Sequence, residues 1–290
     1  MRILLIALVL LAVPAHASHT RTLTIDGRTR TFHVYRPAAR GPARPLALVV
    51  VLHGGFGSGA QAEHAYHWDE EADRDGFVIA YPDGFRRSWN AGGICCGPAN
   101  SDKVDDLAFL TALIGDLEKT EGIDAKRVYL AGMSNGAAMA YWYACNGPLP
   151  IAAVGSVSGS LAAPCGKAHA VSVMEIHGTD DANIPLAGGH GRKAATKVQW
   201  LAVARTLDIF RKADHCAPAV SHVSAAVTTT ASLCEGGRQV SLITIAGAGH
   251  QWPGSLRPRL LGRLMGLDPP SSALDATRTL GQFFAAHPLD

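Results

Sequence analysis

The sequence predicts an α/β fold with one open, mostly parallel sheet and helices on both of its faces. First, apolar runs of strand length alternate with stretches whose apolar residues recur at helical spacing. Second, residues 46–52 are continuously apolar, which is typical of a parallel strand buried on both faces. Third, two alternating segments flank Asp26-Gly27, a turn signal that predicts an antiparallel N-terminal hairpin.

Turn signals and periodicity give the elements in order. The hairpin leads to the buried strand, which ends at a Gly-rich loop. Asp75-Gly76 ends the first helix, and Gly122 ends the second helix, which Asp102 or Asp105 begins. We expect strands at residues 21–25, 28–35, 46–52, 77–81, 127–132, 151–157, 171–176 and 240–245, and helices at residues 61–74, 107–117, 135–144, 200–213 and 275–286.

Composition excludes several classes of protein. Of the 290 residues, 48% are hydrophobic and 17% are charged, which is the balance of a globular protein and not of a disordered one. Lys and Arg number 26 against 24 Asp and Glu, a net charge of +2, and no basic run is longer than Arg86-Arg87. We therefore expect no nucleic-acid partner, because such binding needs a concentrated basic surface.

The N-terminus has the pattern of a secretory signal. A positive start precedes an apolar stretch at residues 3–13, which is far shorter than the roughly 20 residues that span a bilayer. An A-x-A cleavage site follows at residues 15–17. We expect a signal peptide at residues 1–17, a single domain at residues 18–290, no membrane partner after cleavage, and a secreted or periplasmic location.

Six cysteines suit an exported chain, in which disulfides persist. Cys216 and Cys234 flank a Thr/Ala-rich stretch and are the first pair expected, and Cys145 with Cys165 is the second. The adjacent residues Cys95-Cys96 cannot easily form an ordinary bridge with each other. No Cys pair has zinc-site spacing, and no phosphate or nicotinamide motif is present, so we expect neither a metal nor a cofactor.

The sharpest local motif is Gly132-Met133-Ser134-Asn135-Gly136, a G-x-S-x-G between a predicted strand and a predicted helix. The chain must turn abruptly there, and the glycines remove side chains that would collide in the turn. Ser134 would then present its hydroxyl at the carboxyl edge of the sheet. The motif indicates a nucleophilic serine.

A serine hydroxyl needs a general base, which must itself be oriented by an acid. His250 follows the last predicted strand in a Gly-rich loop and is the candidate base. The loop after the strand at residues 171–176 contains Asp180 and Asp181, and spacing alone does not separate these two candidates for the acid. The order Ser, acid, His is the one expected on this architecture.

The developing oxyanion needs backbone N–H donors. One is expected from Asn135, directly after the nucleophile, and another from Gly55 in the loop after the first buried strand. Trp89 and Trp252 flank the loops nearest the predicted site. Exposed rings there would bind substrate by stacking, whereas buried rings would only pack the loops.

Taken together, these residues resemble the α/β-hydrolase serine esterases, and more narrowly the secreted group of polyhydroxybutyrate-depolymerase-like, feruloyl and acetylxylan esterases of carbohydrate esterase family 1. The resemblance covers residues 22–288. Its marks are the segments at residues 52–55, 89–92, 95–97, 104–106, 132–136, 177–185 and 249–254.

The resemblance implies that the acid is Asp181, the second residue after His-Gly-Thr, whereas relatives often have Ala where Asp180 stands. Asp105 and Asp106 also match the pattern of this group, and we interpret them as a helix cap and a loop anchor, not as catalytic residues. The implied activity is hydrolysis of carboxylic esters by Ser134, Asp181 and His250 through an acyl-enzyme, on feruloyl or acetyl esters or hydroxyalkanoate oligomers. The alternatives are a depolymerase acting on polymer and a non-catalytic secreted binding protein.

Overall fold

The computed structural model of the protein describes residues 18–38, 45–257 and 267–289. The expected signal peptide at residues 1–17 lies outside the described residues, so the division into a signal and one domain stays a prediction. Within the described ranges, no helix combines the length and the apolar character that crossing a bilayer requires.

The described residues form one ten-stranded sheet in the order β1-β2-β4-β3-β5-β6-β7-β10-β9-β8. The six central strands are parallel, and antiparallel strands flank them on both sides. The strands are β1 His19–Ile25, β2 Arg28–Tyr35, β3 Leu46–Leu52, β4 Phe77–Pro82, β5 Ile123–Met133, β6 Ala153–Val157, β7 Ser172–Gly178, β8 Val220–Ser224, β9 Val227–Leu233 and β10 Gln239–Ile245.

Helices cover both faces of this sheet and create two hydrophobic cores. Successive residues of β3 point to opposite faces, so Val50 packs into one core and Val51 into the other. This double burial explains why the strand is apolar throughout. The helices are α1 Gly59–Tyr66, α2 Trp68–Asp75, α3 Gly97–Ser101, α4 Asp106–Thr120, α5 Asn135–Asn146, α6 Val203–Ala213 and α7 Ala276–Ala286.

The architecture is the predicted one, with local differences. The short helix α3 was not predicted, because Gly97 and Pro98 at its start are typical of a loop. The single helix expected at residues 61–74 is divided into α1 and α2 by His67, whose φ of 61° is left-handed. The prediction also missed β8 and β9, because their side chains are mostly exposed or half-buried and show no apolar alternation. Backbone pairing to β10 holds this Thr-rich hairpin in the sheet.

Three disulfides are present among the described residues. Cys145–Cys165 and Cys216–Cys234 are bonded, which confirms both predicted pairs. The expectation for Cys95 and Cys96 was wrong, because these neighbours are bonded to each other. The peptide bond between them is cis, and their Cα atoms are 3.0 Å apart.

A buried ion pair anchors the segment at residues 85–103, which precedes α4. Arg30 Nη2 lies 2.7 Å from Asp106 Oδ1, and both side chains are almost completely buried. The other carboxylate oxygen of Asp106 accepts the N–H of Asn90 at 2.7 Å. Its neighbour Asp105 is exposed and caps α4 by accepting the N–H of Ala108 at 2.9 Å. The adjacent carboxylates thus perform different tasks, one in the core and one at the surface.

Replacing Asp106 by Ala should lower the free energy of unfolding by about 3 kcal/mol, because the Arg30 guanidinium would stay buried without a counterion. Asp105→Ala is the matched control, which removes only the cap and should cost about 1 kcal/mol. Urea unfolding of the oxidised proteins, followed by tryptophan fluorescence, measures both values. Equal losses in the two variants would contradict the anchoring role of Asp106.

Candidate active site

Ser134 lies in a strained turn between β5 and α5. Its φ of 56° and ψ of −118° are sparsely populated by residues other than glycine. The two flanking glycines make the turn possible: a Cβ on Gly136 would collide with the carbonyl oxygen of Leu52, and one on Gly132 with the carbonyl of Gly136. The G-x-S-x-G spacing therefore follows from close backbone contact between α5, β3 and β5.

Ser134 lies within hydrogen-bonding distance of His250. The distance from Ser134 Oγ to His250 Nε2 is 2.9 Å, and the distance from His250 Nδ1 to Asp181 Oδ2 is 2.7 Å. A carboxylate only accepts, so Nδ1 carries the proton toward Asp181 and Nε2 is free to accept the serine proton. The three side chains form one continuous hydrogen-bonded chain.

The structure distinguishes the two neighbouring aspartates. Asp181 is 5% exposed, and its Oδ1 accepts the N–H groups of Asn183 and Ile184 at 2.8 and 2.9 Å. Burial alone would raise the pKa of Asp181, but the charge and hydrogen bond of His250, the charge of His177 and the hydrogen bond from Ile184 hold it below its usual range. Asp180 is exposed, and its carboxylate accepts the hydroxyl of Thr179. Only Asp181 contacts the imidazole.

A further aspartate, which the sequence analysis missed, fixes the backbone of His250. The N–H of His250 donates to Asp268 Oδ2 at 2.9 Å, and the N–H of Asp268 donates to the His250 carbonyl at 3.0 Å. Lys193 Nζ lies 3.0 Å from the other oxygen of this carboxylate. Asp268 belongs to no motif, so only the folded chain shows this contact.

The residues expected to supply the oxyanion donors lie close to Ser134. Asn135 is the first residue of α5, so its N–H has no acceptor within the helix. Gly54 approaches the serine so closely that a Cβ built on it would lie 3.5 Å from Ser134 Cβ, and one on Gly55 would lie 3.9 Å from Asn135 Cβ. The Gly-rich loop and the start of the helix therefore both lie close to Ser134.

Side-chain hydrogen bonds hold this Gly-rich loop in place. His53 Nε2 accepts the N–H of Gly84 at 2.9 Å, and its Nδ1 donates to the Gly54 carbonyl at 2.7 Å. Burial lowers the pKa of His53 from 6.5 to about 4, so the ring is neutral at physiological pH. The sequence places His53 beside the glycines but gives no indication that it serves as a structural brace.

The interpretation of Trp89 and Trp252 as exposed, substrate-stacking rings is wrong, because both are buried, at 0% and 2% exposure. Trp89 donates its indole N–H to the His53 carbonyl at 2.9 Å. Its backbone N–H donates to the side-chain Oδ1 of Asn135, and its carbonyl accepts from the side-chain Nδ2 of the same residue. Trp252 stacks on Tyr66 with ring centroids 4.3 Å apart. Both indoles pack the loops instead of facing solvent.

Large apolar side chains are nevertheless exposed on the same loops. Phe56, 48% exposed, follows Gly55, and Ile94, 45% exposed, precedes Cys95. Leu256, 43% exposed, follows His250 in the same loop.

Among the described residues, no group of three or more His, Cys, Asp and Glu side chains has a geometry that could hold a metal ion.

Known proteins with similar sequences are esterases by name. NocK of Nocardia uniformis subsp. tsuyamanensis, which is named as an esterase, is 29% identical over 83% of this chain and 77% of its own length. The bifunctional acetylxylan esterase/xylanase XynS20E of Neocallimastix patriciarum is 32% identical over 54% of this chain. Feruloyl esterase B of Piromyces equi is 26% identical over 70% of this chain. The matches span 22% of XynS20E and 39% of feruloyl esterase B.

Solved structures and a family model complete the comparison. An acetyl xylan esterase from Aspergillus awamori has a TM-score of 0.57 at 16% identity and covers 92% of this chain and 99% of its own. LpqC, a poly(3-hydroxybutyrate) depolymerase from Bordetella parapertussis, has a TM-score of 0.53 at 17% identity. The match covers 81% of this chain and 86% of LpqC. These likenesses confirm the α/β-hydrolase fold. The model described as Esterase PHB depolymerase matches residues 31–190, and the chain therefore belongs to this family of carboxylic ester hydrolases.

Proposed function

We propose that the protein is an exported serine esterase in which Ser134 is the nucleophile, His250 the general base and Asp181 the orienting acid. The observation that carries this proposal is the hydrogen-bonded chain of these three side chains, with distances of 2.9 and 2.7 Å. They come from loops after β5, β7 and β10, which is the strand order expected for such a triad. Membership of an esterase family supports the same chemistry.

In the first step, Ser134 Oγ attacks the ester carbonyl while His250 Nε2 takes the hydroxyl proton. Asp181 holds the ring in the required tautomer and stabilises the imidazolium that forms. The proton then passes from His250 to the leaving alkoxide, and the alcohol departs. Water then attacks the acyl-enzyme while His250 takes its proton. The acyl–Oγ bond breaks, His250 returns that proton to Ser134 Oγ, and the carboxylic acid is released. Each half-reaction returns the imidazole to its neutral state.

The oxyanion of both tetrahedral intermediates is assigned to the backbone N–H groups of Gly55 and Asn135. The position of Asn135 at the start of α5 supports this role, because the positive end of the helix dipole also favours the developing negative charge. The buried hydrogen bonds of His53 and Trp89 support preorganisation of the donors, since they hold the loop in place before substrate binds.

The proposed substrates are feruloyl or acetyl esters or hydroxyalkanoate oligomers. The names of the relatives XynS20E and feruloyl esterase B support acyl groups on plant polysaccharide. Exposed apolar side chains at Phe56, Ile94 and Leu256, on the loops beside the triad, support contact with an apolar acyl group or chain. The burial of Trp89 and Trp252 removes these two residues from the proposed binding surface.

The proposed location is outside the cytoplasm. Disulfides among the described residues suit an oxidising compartment, since cytosolic thiols are normally kept reduced. The sequence pattern of residues 1–17 supports export through a cleaved signal. N-terminal sequencing of the protein after expression in a host with a secretory pathway would test the cleavage expected after Ala17.

Ser134→Ala should reduce kcat on a short p-nitrophenyl ester by about four orders of magnitude, because the variant lacks the nucleophile. A fluorophosphonate probe should label the wild-type protein and leave the variant unlabelled. A non-catalytic binding protein on this fold would not react in either form. Near wild-type turnover by the variant would refute the proposed nucleophile.

The two adjacent aspartates provide a matched pair for testing the acid. Asp181→Asn should lower kcat by about 10⁴, because the amide cannot hold the imidazole in the required tautomer or stabilise its cation. Asp180→Asn, which changes the same atoms on an exposed neighbour, should change kcat less than about threefold. Steady-state kinetics at one pH, with circular dichroism of each variant, measures both effects. The reverse order of losses would assign the role to Asp180.

The substrate class is tested by comparing kcat/KM on feruloylated xylan fragments, acetylated xylan fragments, soluble hydroxybutyrate oligomers and suspended polyhydroxybutyrate. We expect faster release from the soluble esters than from the polymer, because these molecules reach Ser134 without first adhering to a solid. Faster release from the suspended polymer would favour the alternative of a polymer depolymerase, while leaving the serine mechanism intact.

A further inference from the structure

A second row of buried polar side chains lies behind the acid of the proposed triad. Glu175 and His177 are alternate residues of β7, and their exposed fractions are 0% and 1%. His177 Nδ1 lies 2.7 Å from Glu175 Oε1, and its Nε2 lies 2.8 Å from the Ile184 carbonyl oxygen and 3.5 Å from Asp181 Oδ2. The proposed reaction does not use either side chain directly.

The contacts of His177 indicate where its protons are. A carbonyl oxygen only accepts hydrogen bonds, so the contact with Ile184 requires a proton on Nε2. On the other side, Glu175 accepts the hydroxyl of Tyr141 at 2.9 Å and the N–H of Gly159 at 3.0 Å. An ionised Glu175 accepts from all three groups, and in that state of the carboxylate Nδ1 also carries a proton. An imidazole that donates from both nitrogens is a cation.

The charges around this ring agree with that assignment. Glu175, from the same strand, and Asp181, from the loop that follows it, face the imidazole from two sides. Tyr141 of α5 faces Glu175, and His250 lies on the far side of Asp181. Burial lowers the pKa of His177, but the hydrogen bond and charge of Glu175, together with the charge of Asp181, outweigh burial and raise it.

We propose that His177 is a permanently protonated positioning residue, which lies between two buried carboxylates and keeps Asp181 ionised. Without this cation, Glu175 and Asp181 would be two buried negative charges in one network, and one of them would take up a proton. A protonated Asp181 could not stabilise the His250 imidazolium. The catalytic consequence of this role rests on the proposed function, whereas the protonation state of His177 does not.

The protonation state can be measured on the wild-type protein without any variant. In a sample labelled with ¹⁵N-histidine, an ordinary histidine is neutral at about pH 9, since its pKa is near 6.5. We expect one imidazole to remain protonated on both nitrogens at this pH, and Glu175→Gln should abolish that signal. If all imidazoles of the wild-type protein are neutral at about pH 9, the proposal is wrong.

The catalytic consequence is tested with the pH profile of kcat/KM. In His177→Gln, the acid limb of the profile should move to higher pH by about one unit or more, because the unneutralised Glu175 carboxylate then lies beside the Asp181–His250 pair and favours uptake of a proton by that pair. The double variant His177→Gln/Glu175→Gln removes that carboxylate and should return the acid limb toward the wild-type position. A purely structural role of His177 would lower the rate at every pH and would not be rescued by the second substitution.

Three controls separate this proposal from the proposed function. Circular dichroism and fluorophosphonate labelling of each variant show whether it is folded and whether its serine is reactive. Asp180→Asn removes a nearby exposed carboxylate and should leave the acid limb unchanged. If Ser134 proves unreactive while an imidazole stays doubly protonated, the triad assignment fails and the buried cation stands. If the acid limb does not move in His177→Gln, the positioning role fails and the triad stands.

Discussion

The structure depends on the parallel arrangement of β5, β7 and β10, whose carboxyl ends lie along one edge of the sheet. Ser134 and His250 are 116 residues apart in the chain, and Asp181 and His250 are 69 apart, yet consecutive side chains lie within 3 Å. Backbone pairing in the sheet fixes where each loop begins, so each loop has to position its side chain over only a few ångströms. A slip of one residue in any of these strands would turn its side chains to the opposite face and disperse the group.

His53, His177 and His250 are all buried, but their hydrogen-bond partners differ. His53 faces a backbone N–H and a carbonyl, so it is held as the neutral ring that both contacts require. His177 faces a carboxylate and a carbonyl, which both accept, so donation from both nitrogens satisfies its contacts. His250 faces one acceptor and one hydroxyl, and a hydroxyl can either donate or accept. Of the three rings, only His250 has contacts that suit both of its protonation states, which is the requirement for moving a proton during a reaction.

The segment at residues 85–103, which contains α3, connects the core to the site. Asp106 fixes it at Asn90 through the buried pair with Arg30, and Trp89 and Asn135 join it to the start of α5. The ring of Trp89 also bonds to the backbone just before the two glycines of the neighbouring loop. Under the proposed function, rigid packing here would serve catalysis, since the N–H groups proposed for the oxyanion belong to the segments that these residues hold together.

By itself, the sequence determined the α/β class, most of the element positions, two disulfide pairs and the short list of residues that could form a triad. Apolar periodicity, turn residues and the G-x-S-x-G turn are local properties, and they can be recognised without knowing what lies nearby. Only the tertiary structure distinguished Asp181 from Asp180 and brought Asp268 to His250. It also showed that the two Trp rings are buried and that Cys95 is bonded to Cys96. The same holds for the β8–β9 hairpin, whose exposed side chains carry no pattern, and for Glu175 and His177. Each of these outcomes depends on contacts between segments distant in the chain or on local backbone geometry, and neither is encoded in the spacing of residue types.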